Sequence, residues 1–186
     1  MPAMAVDIER MAATALPPEY QFARIGVGEN ARGWTDALAV GYGLSPAVAR
    51  LFSPESLGAD MASDASTQFF AILKNGRPVA TSLLYLTDGL AGIYCVATLP
   101  EERAKGLGAA ATAEALRRAH QLGYRVGVLQ SSPAGHSVYI GLGFEDVAGV
   151  PMFVRMPACR SSPLSSANRI RRCIEEPGRG AKTDSP

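Results

Sequence analysis

The sequence reads as one α/β domain (α+β mixed sheet): an antiparallel meander, then a β-α-β core whose two strands run parallel. Three observations predict it. Strand-like runs at 67–73, 78–86 and 91–98 are joined by Asn75-Gly76 and Asp88-Gly89, dipeptides suited to tight hairpins. A helix opened by two glycines follows, with Leu107, Ala111, Ala115, Leu116 and Ala119 on one face. A further strand-like run, "YRVGVLQ" at 124–130, completes the unit.

The elements follow in order. Residues 1–18 are rich in Ala, Pro and Met, end toward "LPPEY", and read as a flexible arm before a single domain at 19–159. "EYQFARIGV" alternates and predicts the first strand. "ENARGWTDALAVGYG" and "SPAVARLF" predict two helices split by Gly43, with Pro46 suited to a first helical turn. Trp34, Tyr42 and Phe52 on these helices are expected in the core. "GADMASDAS" reads as a loop before the meander. Arg117, Arg118 and His120 crowd the end of the glycine-marked helix, where the helix dipole favours cations. "GHSVYIGLG" predicts a short helix closed by Gly143, and "MFVRM" a last strand. From 157 onward six basic residues face three acids among Ser, Pro and Gly, so 160–186 reads as a disordered basic tail.

Composition excludes several classes. A net charge of +1 gives no whole-chain bias toward nucleic acid or membrane. Apolar runs such as "FFAIL" and "VATSLLYL" fall far short of the roughly 20 residues that span a bilayer. The start carries Asp7 and Glu9 in place of a basic leader. Cys95, Cys159 and Cys173 lack metal-ligand or disulfide spacing, which points to free thiols, a cytoplasmic setting and no metal.

The stretch "ERAKGLGAAATAEALRRAH" raises a chemical question. Its helix holds no acid until Glu114, although Asp and Glu normally offset the positive end of the dipole. Backbone N–H groups are thereby left for an external anion. "GLGAAA" matches a dinucleotide fingerprint, but its context argues against one. "LPEERAK" separates it from the strand, that strand is the third of a meander, and no acid follows for a ribose. Arg103-x-x-Gly106-x-Gly108 instead offers positive charge and bare backbone, as a pyrophosphate needs.

On that motif the segment "IYCVATLPEERAKGLGAAATAEAL" resembles the acetyl-CoA motif of the GNAT superfamily of N-acetyltransferases, [RQ]xxGx[GA]. "VLQSSPAGHSVYIGLGF" resembles the family's second motif, a strand followed by a short Tyr-bearing helix. The resemblance covers roughly 67–155 and implies a GNAT-like fold with splayed parallel strands. It implies that Val96, Ala97 and Thr98 bond the pantetheine arm and acetyl carbonyl. The backbone of Arg103, Ala104, Lys105, Gly106, Leu107, Gly108 and Ala109 would hold the pyrophosphate. Ser132 stands where relatives place a cofactor-contacting Asn, and Ala104 where they place Gly. Tyr139 is the implied catalytic residue, protonating the departing CoA sulfur with a phenol near its ordinary pKa of about 10. No acid stands in "GIYCVAT" as a base, which leaves a water relay, a neutral amine, Asp88 or His136.

The implied activity is transfer of acetyl from acetyl-CoA to a primary amine by direct attack, with no acyl-enzyme. The alternative is a non-catalytic acetyl-CoA sensor. The expected acceptor is a small molecule rather than a protein, with a homodimer allowed.

Overall fold

Both hairpin dipeptides adopt the left-handed backbone that their composition favours. Asn75 and Gly76 have φ of 51° and 77°, and Asp88 and Gly89 have φ of 47° and 76°. Such turns match the natural twist of the strands they join. The computed structural model describes residues 1–58 and 65–151. Its strands are β1 (Pro2–Asp7), β2 (Tyr20–Ile25), β3 (Thr67–Lys74), β4 (Arg77–Thr87), β5 (Leu90–Thr98), β6 (Val126–Gln130) and β7 (Glu145–Gly149). Its helices are α1 (Glu29–Tyr42), α2 (Pro46–Arg50), α3 (Pro54–Leu57), α4 (Leu107–Gln121) and α5 (His136–Leu142). The strands form one sheet in the order β2-β3-β4-β5-β6-β1-β7. Strands β5 and β6 are parallel, as the crossover through α4 requires; the other neighbours are antiparallel.

Strand alternation divides the core between the two faces of the sheet. Phe69, Ala71 and Leu73 of β3 join Trp34 and Leu38 of α1, whereas Phe70 lies with Leu116 and Ala119 of α4. Trp34 is fully buried and donates from Nε1 to the Phe70 carbonyl at 2.9 Å. The whole predicted apolar face of α4 is buried, and its alanines let that helix lie close enough for Ser82 Oγ to reach the Ala111 carbonyl at 3.2 Å.

Two expectations need correction. Residues 2–7, read as part of a flexible arm, form a strand between β6 and β7. Met4, Val6 and Ile8 alternate inward to join the core beneath α4. That alternation overrides the Ala- and Pro-rich composition. Tyr42 and Phe52, expected in the core, are exposed. The strand expected at "MFVRM", the tail at 160–186 and residues 59–64 of the expected loop lie outside the described residues. The last described strand is β7.

The position of β1 sets a test. Met4 is 0% exposed, so Met4→Ala should lower unfolding stability by about 2–5 kcal/mol in urea titration. A change lost in the error of the fit would mean that the first strand is dispensable.

Candidate active site

The site begins where β5 leaves its neighbour. Parallel pairing with β6 runs from Leu90↔Val126 to Ile93↔Leu129 and then ends, while β5 continues to Thr98. On the other side β5 stays paired with β4, but the register shifts: Leu83 faces Tyr94 and Thr81 faces Ala97. Cys95 and Val96 therefore oppose Ser82 alone, which is a β-bulge. Cys95 occupies the left-handed region, φ 53°. A cleft opens beside Val96, Ala97 and Thr98.

The start of α4 forms the next wall. Gly106, φ 75°, precedes the helix, no side chain caps it, and its first turn holds no acid. The leading N–H groups therefore lack the side-chain acceptor that usually takes them. Gly106 needs its left-handed backbone, so a larger residue there would strain the loop. Gly108 is different: an added Cβ would meet Thr98 Oγ1 at 3.7 Å and Val96 Cγ1 at 3.9 Å, ordinary contacts. The bare backbone at 108 is thus not demanded by packing, and a larger side chain would reach over the β5 edge. Ala104 also takes a left-handed conformation, φ 60°, which costs an alanine roughly 1–2 kcal/mol. The Gly-to-Ala departure is therefore not free.

The end of α1 closes one side. A Cβ at Gly41 would come within 2.8 Å of the Ala97 Cβ and 3.2 Å of the Thr98 nitrogen. Glycine alone lets α1 rest on the end of β5. Arg103 braces the junction, donating from Nη2 to the Gly41 carbonyl at 2.9 Å and from Nε to the Thr98 carbonyl at 3.3 Å. Tyr42, next along, turns into the cleft.

Helix α5 supplies the opposite wall. Ser132 Oγ accepts from the Gly135 N–H at 3.2 Å, shaping the turn into the helix. The Tyr139 ring packs edge-on against Phe144 at 5.8 Å. Burial, with a smaller contribution from Tyr42, pushes the Tyr139 phenol up to about 12, above the value near 10 expected from the sequence. Burial likewise raises the Cys95 thiol to about 11.

Beneath the loop lies a carboxylate that the sequence reading did not single out. Glu102, 7% exposed, accepts from Tyr20 Oη at 2.6 Å, Lys74 Nζ at 2.8 Å and Lys105 Nζ at 2.6 Å. Hydrogen bonds from Lys105, Lys74 and Tyr20 hold its carboxyl down to about 2. Nothing local in "LPEERAK" marks this role, since two of the three donors come from distant strands.

These walls enclose a cavity of about 570 Å³. Tyr139 and every cofactor-binding residue named from the sequence line it except Lys105, whose ammonium turns to Glu102. Gly41, Tyr42, Gln130 and Val138 line it without having been anticipated. Asp88 sits in the β4–β5 turn, at the other end of β5 from the cleft. His136 faces Asp146 at 3.0 Å, and neither lines the cavity. Among the described residues no group of three or more His, Cys, Asp or Glu could hold a metal.

The sequence profile of the acetyltransferase (GNAT) family matches residues 40–144, more than half of the chain. Among solved structures, a GCN5-related N-acetyltransferase from Kribbella flavida is 26% identical, with TM-score 0.57, over 78% of this chain and 53% of that one. A GCN5-related N-acetyltransferase from Sphaerobacter thermophilus is 19% identical, with TM-score 0.62, over 78% and 48%. The chain thus spans about half the length of these two. AAC(6')-Iy, solved with the bisubstrate analog CoA-S-monomethyl-acetylneamine, is 17% identical, with TM-score 0.58, over 73% and 97%. The last two likenesses speak to fold. A search of curated proteins found no match.

Glu102 sets a pH test. Its folded pKa is depressed, so its contribution to stability is present above the ordinary carboxylate value of 4.5 and is lost as pH falls toward about 2. Glu102→Gln should be less stable than wild type at neutral pH, and the gap should narrow over that acidic interval. Melting curves across pH decide it; a constant gap would mean that the carboxylate is not held as described.

Proposed function

We propose that this chain, which belongs to the acetyltransferase (GNAT) family, moves the acetyl group of acetyl-CoA onto a primary amine by direct attack in a ternary complex. The observation that carries the reading is one cavity bounded by three features: the unpaired edge of β5, the uncapped start of α4 and the Tyr139 phenol. In this proposal the backbone of Val96–Thr98 takes the pantetheine arm and the thioester carbonyl. The backbone from Arg103 to Ala109 takes the pyrophosphate, with Ser132 at the far wall. Main-chain donors fixed in advance lose no side-chain entropy on binding.

The chemistry needs an N–C bond to form, the C–S bond to break and negative charge to be met at the CoA sulfur. The high pKa keeps the Tyr139 proton in place at neutral pH. Full transfer to a thiolate of ordinary pKa near 8.5 is uphill, so the phenol acts chiefly as a hydrogen-bond donor to the leaving sulfur. Direct attack is supported by Cys95: a thiol at about 11 is almost wholly protonated at pH 7 and a poor nucleophile. Glu102, the carboxylate on the described cavity wall, is too weakly basic to accept the amine proton. The amine is therefore taken to arrive neutral or to release its proton to water.

A small-molecule acceptor is favoured over a protein, because the space beside Tyr42 and Val138 is a walled recess. The fold neighbour AAC(6')-Iy was itself solved with an acetylneamine conjugate. A cytoplasmic setting goes with the free Cys95 thiol. Among the described residues no helix is long and apolar enough to cross a membrane.

Two substitutions test the reading. The family pattern accepts Ala at the position of Gly108, so Gly108→Ala should bind acetyl-CoA as wild type does. Gly108→Val should lose about tenfold or more in affinity by calorimetry with little change in melting temperature. Equal affinity in both would remove this loop from cofactor binding. Tyr139→Phe keeps the ring and should lower kcat by roughly a hundredfold, with acetyl-CoA affinity unaltered. Undiminished turnover in that variant, with an acceptor that wild type uses, would take the phenol out of the mechanism.

A further inference from the structure

The β5 bulge is held by one side chain. Thr81 of β4 is 0% exposed. Its Oγ1 donates to the Cys95 carbonyl at 2.7 Å and accepts from the Ala97 N–H at 3.3 Å. These are the backbone groups on either side of Val96, at the point where the register slips by one residue. In an unbroken ladder they would meet the β4 backbone; here the hydroxyl stands between the strands and satisfies both. A hydroxyl is the smallest side-chain group able to donate and accept at one atom. Around it Cys95 and Ala97 pack toward α1 and Val96 toward α4.

We infer that Thr81 is a positioning residue for the acyl-donor end of the site: its hydroxyl fixes the bulge, and the bulge fixes where the Val96–Thr98 backbone lies in the cleft. The inference rests on the acetyl-CoA reading above. Cys95 stays in the left-handed region, which costs a non-glycine residue free energy, only while something outweighs that cost. Without the hydroxyl, the Cys95 carbonyl and the buried Ala97 N–H lose their partner. The strand then recovers hydrogen bonds by sliding back into register with β4. That slide would exchange the faces of Val96 and Ala97 and displace the edge proposed to meet the pantetheine arm. The start of α4 is seated separately, by the packing of Leu107, Ala110 and Ala111 on β3 and β4, and would keep its place.

The two ends of the donor can be read separately. Acetyl-CoA spans both, whereas adenosine 3′-phosphate 5′-diphosphate reaches only the pyrophosphate loop. Calorimetry with each, on wild type, Thr81→Val and Thr81→Ser, gives the test. Thr81→Val should lose about tenfold in acetyl-CoA affinity, the scale of a lost hydrogen bond. Its affinity for the diphosphate fragment should be unchanged, and Thr81→Ser should match wild type for both. A folded Thr81→Val with wild-type acetyl-CoA affinity, or one weakened equally toward both ligands, would overturn the inference. Should Thr81→Val fail to fold, Thr81→Ser still decides it, because selective loss of acetyl-CoA affinity with the hydroxyl retained would rule the hydroxyl out. Failure of the wild type to acetylate any amine would sink the transfer reaction and leave this binding comparison standing.

Discussion

Everything in the site depends on β5 letting go of β6 after Ile93 while keeping hold of β4. A strand that loses one neighbour inside a protein exposes a row of backbone donors and acceptors, and these must be met or kept for a ligand. The chain does both. Thr81 takes the groups flanking Val96 on the β4 side, and Arg103 takes the Thr98 carbonyl. The edge toward the former β6 partner borders the cavity. Among the described residues four non-glycine positions have positive φ. Asn75 and Asp88 are turn residues that tolerate it. The other two are Cys95, in the bulge, and Ala104, in the loop before α4. Backbone strain has thus collected at the site, held there by the surrounding fold.

The two halves of the site share a brace. Arg103 belongs to the loop before α4, yet its guanidinium reaches across to the last turn of α1. Gly41 lets that turn sit on Ala97 and Thr98, and Tyr42 then projects over the recess where an acceptor would enter. The end of β5 and the end of α1 therefore touch directly and Arg103 ties both to its loop, while the start of α4 is seated by its own packing through Leu107, Ala110 and Ala111.

Much of this was legible in the sequence where a local rule acts. The hairpins follow from Asn75-Gly76 and Asp88-Gly89, and the buried face of α4 from helical spacing. The uncapped start of α4 follows from its glycines and missing acids. What escaped was decided by distant partners. β1 was hidden because Met4, Val6 and Ile8 form a short alternation inside an Ala- and Pro-rich stretch, and only β6 and β7 on either side make it a strand. Glu102 looked like one acid in a charged loop until Tyr20 and Lys74 came to it from β2 and β3. Tyr42 looked like core because an aromatic on an amphipathic helix usually is. Its position on the cavity depends on where Gly41 seats α1.

That α4 starts without an acid has an electrostatic reading. The obvious cations of the motif are already engaged by the protein. The ammonium of Lys105 is shared with Lys74 on the single carboxylate of Glu102, and Arg103 is bound to two carbonyls. Neutral carbonyls do not cancel the charge of Arg103, and one carboxylate cannot cancel two lysines. With Glu101 counted too, Arg103, Lys105 and Lys74 exceed the two acids by one, and none of these side chains needs to move to receive a ligand. In the proposed reading that charge would attract a diphosphate and the N–H groups of the helix start would meet it. An acid in the first turn of α4 would oppose that field and accept those same N–H bonds. The gap before Glu114 leaves the helix end open, as the proposed diphosphate site requires.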